Sequence, residues 1–114
     1  MARYRGLTLR ILGGRAPAMG PGKAELIERI ASTGSISAAA RAMGMSYRRA
    51  WQLVEALNKD YRERVVSTAA GGARGGGARV TPFGLRVLAE YRVMEEKASA
   101  AIASELRRFK RYIP

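Results

Sequence analysis

Cysteine and histidine are both missing from the 114-residue sequence. Their absence excludes disulfides, thiolate nucleophiles and imidazole bases, and it removes the ligands that most zinc and iron sites use. The nine acidic residues are scattered along the chain, and no pair of them has a context that suggests catalysis. The sequence therefore predicts a protein that is not an enzyme, with no catalytic residue, no metal site and no cofactor.

Long apolar runs are also missing, although 47% of the residues are hydrophobic. No run approaches the roughly 20 residues of a membrane-spanning helix. The basic residues at the start precede no long apolar stretch, so we expect no signal peptide. The length suits one domain with one core, and the lack of cysteine suits a reducing compartment. We expect a single cytoplasmic domain over residues 1–114, with no membrane partner.

Acidic side chains are few compared with basic ones. Lysine and arginine together number 21 against nine Asp and Glu, which gives a net charge of +12, and 17 of the 21 are arginine. A net charge of about 2–8 in magnitude suits the solubility of a small domain, so the excess indicates a polyanionic partner. Arginine also fits phosphate groups and guanine edges well. Charge alone leaves DNA, RNA and an anionic membrane surface open.

The amino-terminal part is predicted to contain a strand, a loop and a helix. Apolar residues alternate with polar ones over residues 5–12, which is the pattern of a half-buried strand. Residues 13–22 contain four glycines and two prolines and predict a loop. A helix is expected over residues 23–33, where Gly34 ends it.

Two further helices joined by a short turn form the most informative motif. The first is rich in alanine, has Ser35 or Ser37 as its cap, and ends just before Gly44. The second occupies residues 46–61 and begins at a serine cap. This arrangement is typical of a helix-turn-helix, whose second helix enters the major groove of DNA.

A Gly-rich hairpin is predicted after the motif. Residues 65–68 and 78–80 have the composition of strands, and residues 71–77 between them contain five glycines. As a basic wing, this hairpin would bring Arg74 and Arg79 to phosphates or to the minor groove. The turn lacks the Lys-Ser/Thr pair of a phosphate-binding loop and is followed by a strand, so no nucleotide site is predicted. A simple surface loop remains an alternative.

The last predicted element is a long helix over residues 82–112. It opens with Thr at the cap and Pro at the first position, and no breaker interrupts it. Such a helix would be about 46 Å long, and its apolar stripe extends beyond what one small core covers, so we expect a homodimer. The competing expectation is that it folds back over its own domain. The expected interface residues are Tyr91, Met94, Ala98, Ile102 and Leu106.

Together these elements predict a mainly α chain with a small β hairpin. The fold class is a winged helix-turn-helix with a core over residues 5–81 and a long carboxyl-terminal dimerisation helix.

The faces of the helix 46–61 indicate which side chains would meet DNA. The predicted core face consists of Ala50, Val54, Leu57 and Tyr61 and, more loosely, Leu53 and Tyr47. The outward face, called the reading face below, consists of Arg48, Gln52, Glu55 and Lys59. Arg48 and Gln52 are favoured for base contacts because they are near the amino-terminal end and can make bidentate hydrogen bonds. Trp51 has two alternatives, partial burial or a DNA contact.

The predicted DNA-contacting residues come from the caps, the recognition helix and the wing. They are Ser35, Ser46, Tyr47, Arg48, Arg49, Trp51, Gln52, Arg74 and Arg79.

Several segments resemble the DNA-binding domain of the ModE family of molybdate-responsive bacterial regulators. They are residues 20–23 (GPGK), 33–41 (TGSISAAAR), 45–51 (MSYRRAW) and 81–84 (TPFG), together with the Gly-rich wing. The resemblance covers about residues 5–95. It implies a winged helix dimerised partly through its long helix, with residues 46–52 in the major groove and with target genes for molybdenum uptake or molybdoenzymes.

The resemblance stops short of a sensing function. Complete ModE proteins carry molybdate-binding domains after this one, whereas this sequence ends at residue 114. Molybdate sensing is therefore not carried over, and a separate molybdate-sensing protein is a candidate partner. A free-standing family member and a fragment both remain open. The leading hypothesis is a sequence-specific regulator that binds double-stranded DNA at a palindromic operator as a homodimer. The alternative is nonspecific binding, either to RNA or to DNA in an architectural role.

Overall fold

The computed structural model describes residues 6–14, 16–69 and 77–114 of the chain. The molecule measures 54 × 31 × 25 Å. Its elements, in chain order, are β1 Ile11–Leu12, β2 Pro17–Met19, α1 Pro21–Thr33, α2 Ile36–Ala42, α3 Tyr47–Asp60, β3 Val66–Ala69, β4 Gly77–Val80, α4 Pro82–Ala101, α5 Ala103–Phe109 and a 3-10 turn Lys110–Tyr112. The strands form two antiparallel pairs, β1 with β2 and β3 with β4. No helix in the described ranges is both long and apolar enough to span a bilayer.

Local capping explains where most helices begin and end. The Thr81 hydroxyl accepts a hydrogen bond from the Gly84 amide at 2.9 Å, and Pro82 follows at the first helical position of α4. Gly34 ends α1 in the left-handed conformation, with φ 70°, and its amide donates to the Ile30 carbonyl at 2.8 Å. The helix starts and stops predicted from these residues are confirmed.

One apolar core joins the first three helices to the β3–β4 hairpin and α4. Its largest fully buried side chains are Tyr91, Met19, Leu26, Ile27, Ile30, Leu57, Val54, Val65 and Val66. Within the described residues no charged or polar side chain is buried. The core therefore forms by apolar burial, at about 25 cal/mol per Å² removed from water.

The first strand is much shorter than the sequence predicts. Of the described residues 6–12, only Ile11 and Leu12 are paired, and their partner is Pro17–Met19, which the sequence placed in a loop. Alternation of apolar residues is not sufficient for a strand, because a strand also needs a hydrogen-bonded neighbour. Among the described residues that neighbour is this short return segment, and its first residue is a proline without an amide hydrogen.

The prediction of an uninterrupted helix over residues 82–112 is also wrong. α4 ends at Ala101, and Ile102 leaves the helical conformation with φ −113° and ψ 15° before α5 begins. Beyond the break, Leu106 of α5 lies beside the amino-terminal segment, since a Cβ added at Gly6 would be 3.2 Å from Leu106 Cδ2.

A hydrogen bond of Tyr91 links α4 to the amino-terminal segment. Its side chain is 1% exposed, and its hydroxyl donates to the Leu9 carbonyl at 2.6 Å. Burial, with a further contribution from the charge of Glu95, raises the pKa of Tyr91 to about 12. The folded state therefore favours the protonated form of the Tyr91 phenol.

We expect this phenol to make stability depend on alkaline pH. A tyrosine in an unfolded chain titrates near pH 10, so the stabilisation from the raised pKa is complete below about pH 10 and is lost as the pH rises toward 12. Tyr91→Phe should lower the free energy of unfolding by about 1 kcal/mol at pH 7 and should flatten its fall above about pH 10. Urea denaturation across this range measures both effects. Tyr112→Phe, at an 84% exposed side chain, is the control, and equal alkaline slopes for Tyr91→Phe and the parent protein would contradict the assignment.

Candidate nucleic-acid interface

The turn between α2 and α3 depends on small residues and one glycine. Ala39 and Ala40 are buried, which lets the two helices approach closely. Gly44 has φ 68°, a left-handed conformation that favours glycine, and the next amide, of Met45, donates to the Ala40 carbonyl at 3.0 Å. Met43 is buried beneath this turn. The helix-turn-helix geometry predicted from the sequence is therefore present.

Ser35 and Ser46 use their hydroxyls to begin α2 and α3. Ser35 Oγ accepts from the Ala38 amide and Ser46 Oγ accepts from the Arg49 amide, each at 3.0 Å. A serine hydroxyl that accepts one bond still has its own hydrogen to donate. Ser46 is exposed and Ser35 is half-buried, so both serve as caps, and Ser46 is the more accessible donor for a phosphate.

The faces of α3 match the predicted division. Ala50, Val54 and Leu57 are buried, and all four residues of the reading face are exposed. These buried contacts fix the rotation of α3 about its axis and therefore determine which side chains face solvent. The geometry thus presents Arg48 and Gln52, one turn apart, at the amino-terminal part of an exposed helix face.

Two aromatic side chains lie beside the reading face. Tyr47, which the sequence loosely assigned to the core face, is 53% exposed, because the first turn of α3 extends beyond the core. Trp51 is half-buried against the core and meets Tyr47 edge to face, with ring centroids 6.1 Å apart. Trp51 is therefore partly buried, and its contact with DNA stays a prediction.

The wing, defined here as the paired strands β3 and β4, follows the carboxyl-terminal end of α3. Val66 pairs with Val80 and Ser67 with Arg79. The valines face the core, whereas Arg79 is exposed. Arg74, the other predicted wing contact, lies outside the described residues.

Asn58 is a structural residue that the sequence analysis missed. Its Oδ1 accepts from the amides of Val65 at 2.8 Å and Val66 at 3.0 Å, and its Nδ2 donates to the Val66 carbonyl at 3.0 Å. The only signal in the sequence is an asparagine inside a helix, where this residue is unfavourable unless its amide has a specific partner. These three bonds set the position of the wing relative to α3.

Most of the ion pairs that the structure describes lie away from the reading face, whose one acidic member is Glu55. Five carboxylates elsewhere are paired with arginines, namely Glu25, Glu28, Glu63, Glu95 and Glu105. In the part of the chain that the structure describes, Arg48, Arg49 and Arg79 form no ion pair. Their charges are therefore available to an anionic partner.

The residues expected at a dimer interface have different surroundings. Tyr91 is buried in its own chain and is not accessible to a partner, whereas Met94 is 41% exposed. Ala98, Ile102 and Leu106 are half-buried, the last against the amino-terminal segment. Of these five residues only Met94 is exposed, and beyond them Phe109, at the outer end of the predicted stripe, is 61% exposed.

Met94 borders an apolar groove on α4. The groove has a volume of about 370 Å³, and its apolar lining includes Ile11, Met19, Phe83, Val87 and Met94.

One protein-family model matches both the helix-turn-helix and the wing. The model described as bacterial regulatory helix-turn-helix protein, lysR family, matches residues 22–85. This range begins in α1 and ends in the first turn of α4, so it contains α2, α3 and the wing.

Several curated proteins are similar to the chain. The molybdenum-pterin-binding protein MopB of Rhodobacter capsulatus is 42% identical over 100 residues, covering 88% of this chain and 36% of that protein. The molybdenum transport protein ModE of Azotobacter vinelandii is 38% identical over 77 residues, covering 68% and 28%. The DNA-binding transcriptional dual regulator ModE of Escherichia coli K12 is 36% identical over 76 residues, covering 67% and 29%. The chain spans about a third of the length of these relatives, and the resemblance to ModE is confirmed.

A solved structure shares the fold. The crystal structure of ArgP from Mycobacterium tuberculosis superposes with a TM-score of 0.54 at 23% identity, covering 77% of this chain and 31% of that one. The predicted winged helix-turn-helix, mainly helical with small sheets, is confirmed.

The three bonds of Asn58 lead to a prediction about the wing. Asn58→Ala leaves the amides of Val65 and Val66 without their acceptor and should lower the free energy of unfolding by about 1–3 kcal/mol. Amide exchange at Val65 and Val66 should accelerate more than exchange in α1. Asn58→Asp keeps the acceptor for both amides but sets a carboxylate oxygen against the Val66 carbonyl, so exchange at the two valine amides should accelerate less than in Asn58→Ala. Unchanged protection at both valine amides in Asn58→Ala would show that the side chain does not hold the wing.

Proposed function

Because the chain belongs to the bacterial regulatory helix-turn-helix proteins of the lysR family, we propose that it regulates transcription by binding an operator sequence through α3. The observation that carries the proposal is the pair Arg48 and Gln52, exposed together at the amino-terminal part of α3. Arginine and glutamine are the side chains that bind guanine and adenine edges through two hydrogen bonds each. The family consists of regulators rather than enzymes, in agreement with the sequence prediction.

Two exposed residues outside the proposed base contacts would bind the DNA backbone. Ser46 at the cap of α3 and Arg79 on the wing are both exposed and lie at different ends of the recognition unit. Contacts of this kind fix the position of a protein on the duplex, whereas base contacts select the sequence. We infer that Arg48 and Gln52 select the operator and that Ser46 and Arg79 orient α3 in the major groove.

We propose that the regulated genes encode proteins of molybdenum uptake or molybdoenzymes. MopB and the ModE of Azotobacter vinelandii carry molybdenum in their names, and the ModE of Escherichia coli is named as a DNA-binding regulator. Because the similarity covers about a third of each relative, we do not propose that this chain itself binds molybdate. A separate molybdate-sensing protein remains the proposed effector partner, and the site of action is the bacterial cytoplasm, where the chromosome lies.

A homodimer is the proposed binding form. Met94, exposed beside the apolar groove on α4, would lose contact with water against a second copy. Burial of a large apolar side chain contributes about 1.5–3 kcal/mol, and in a two-fold dimer each contact occurs twice. A two-fold arrangement would present two copies of α3 to a palindromic operator.

Replacement of Arg48 tests base recognition. Arg48→Ala should weaken operator binding by about 1–3 kcal/mol and relax sequence preference at one base pair, because a bidentate contact is lost. Lys59→Ala is the matched control, since it removes one charge from the other end of the same face. Fluorescence anisotropy with operator and unrelated duplexes measures both.

The control separates base recognition from general attraction. Lys59→Ala should weaken binding to both duplexes by the same factor. Equal losses on both duplexes for Arg48→Ala as well would indicate that Arg48 contacts only phosphate, and an absence of any preferred sequence would favour nonspecific nucleic-acid binding.

Replacement of Met94 tests the dimer. Met94→Asp should raise the dimer dissociation constant by roughly tenfold or more, because two charged groups would replace two apolar contacts. Val93→Asp is the control, because Val93 is 45% exposed on the same helix but about 100° away around it. Sedimentation equilibrium at micromolar concentration measures the difference. The dimer proposal fails if the parent protein is monomeric or if both variants dissociate alike.

A further inference from the structure

A second cavity lies between the amino-terminal hairpin, the start of α1 and one side of α3. Its volume is about 520 Å³, and its lining includes three cationic side chains, Arg10, Lys23 and Arg49, which we name the cationic cluster. No carboxylate contributes to the lining. The three cations come from three different segments, so the fold rather than local sequence brings them together.

Two of the three cations, Lys23 and Arg10, lie against the segment that leads into α1. Lys23 Nζ donates to the Pro17 carbonyl at 2.6 Å, which fixes the ammonium beside β2. Arg10 lies over Gly20, where an added Cβ would be 3.6 Å from Arg10 Cγ and 3.9 Å from Arg10 Nη1. In the ranges that the structure describes, none of the three forms an ion pair. The three cations line one cavity without a described ion pair, so each of them would attract an anion bound there.

The position of the cluster on α3 indicates which anion it meets. Arg49 and Asn58 are nine residues apart, which places them about 180° from each other around the helix. Asn58 is bonded to the wing, so the cluster lies on the opposite side of α3. The reading face is between the two sides, because Gln52 both lines the cavity and belongs to that face.

A helix in the major groove has a sugar-phosphate strand on each side. We propose that the cationic cluster binds a backbone phosphate of the DNA strand on the side of α3 opposite the wing. This inference rests on the proposed function, and it assigns Arg49 to the backbone rather than to a base. It also gives Lys23, within the segment GPGK, a binding role.

Charge-neutral substitution with a matched control tests the cluster. Arg10→Gln removes one charge from an exposed side chain without a described hydrogen bond, and Lys97→Gln removes one charge from an exposed position on α4. Arg10→Gln should weaken binding to operator and unrelated duplexes by the same factor, roughly five- to tenfold near 0.1 M salt, and lower the salt slope by about one unit. Lys97→Gln should change neither. Lys23→Gln is a second variant, and circular dichroism checks that each variant is folded.

Phosphate ethylation interference locates the contact. In the parent protein, ethylation should interfere at a phosphate flanking the bases that α3 contacts, and this interference should disappear in Arg10→Gln while the other positions persist. A titration with inorganic phosphate, followed by the amide signal of Gly20, distinguishes the backbone from a free anion. We expect no saturation below the concentration at which salt alone dissociates the complex.

The outcomes separate this inference from the proposed function. DNA binding with a normal salt slope and an unchanged ethylation pattern in both Arg10→Gln and Lys23→Gln overturns the inference and leaves the proposed function intact. Saturable binding of inorganic phosphate together with that unchanged pattern would reassign the cavity to a free oxyanion. Absence of DNA binding by the parent protein would overturn the proposed function and the inference with it.

Discussion

The buried backbone of Val65 is the point at which α3, the wing and α4 are joined. Its amide donates to Asn58 of α3 at 2.8 Å, and its carbonyl accepts from the Thr81 amide at 2.9 Å. Gly84 completes the junction, because an added Cβ would lie 2.8 Å from Val80 Cγ1 and would also collide with the Val65 carbonyl. A side chain at position 84 would push α4 away from the hairpin. The position of the wing beside the recognition helix therefore depends on the contacts that meet at this junction of three elements.

Predictions from the sequence succeeded where the determining interaction is local. The caps at Ser46 and Thr81 bond to amides three residues ahead, and the left-handed stop at Gly34 depends on that residue's own backbone. The core face of α3 follows from helical periodicity. These features require no knowledge of distant partners, so the motif and most helix boundaries were predictable.

Predictions failed where the partner is distant in sequence or has no sequence signal. The short first strand depends on pairing with Pro17–Met19, and the break at Ile102 occurs without a glycine or proline. Asn58 looks like an ordinary polar helix residue until the wing is in place. The cavity that joins Arg10 to Arg49 likewise arises only from packing between segments about 40 residues apart. The candidate base contacts were thus predictable, whereas their supports were not.

The amino-terminal hairpin connects the two surfaces to which functions are assigned above. Consecutive residues of an extended chain point to opposite sides, and here Arg10 lines the cationic cavity while Ile11 lines the apolar groove of α4. The hairpin is fixed from both sides, since Tyr61 donates to the Ala18 carbonyl at 2.9 Å and Lys23 donates to the Pro17 carbonyl. A displacement of this short pair of strands moves a wall of both cavities at once. The surface proposed for a partner copy and the surface proposed for a DNA phosphate therefore share one structural element rather than being independent.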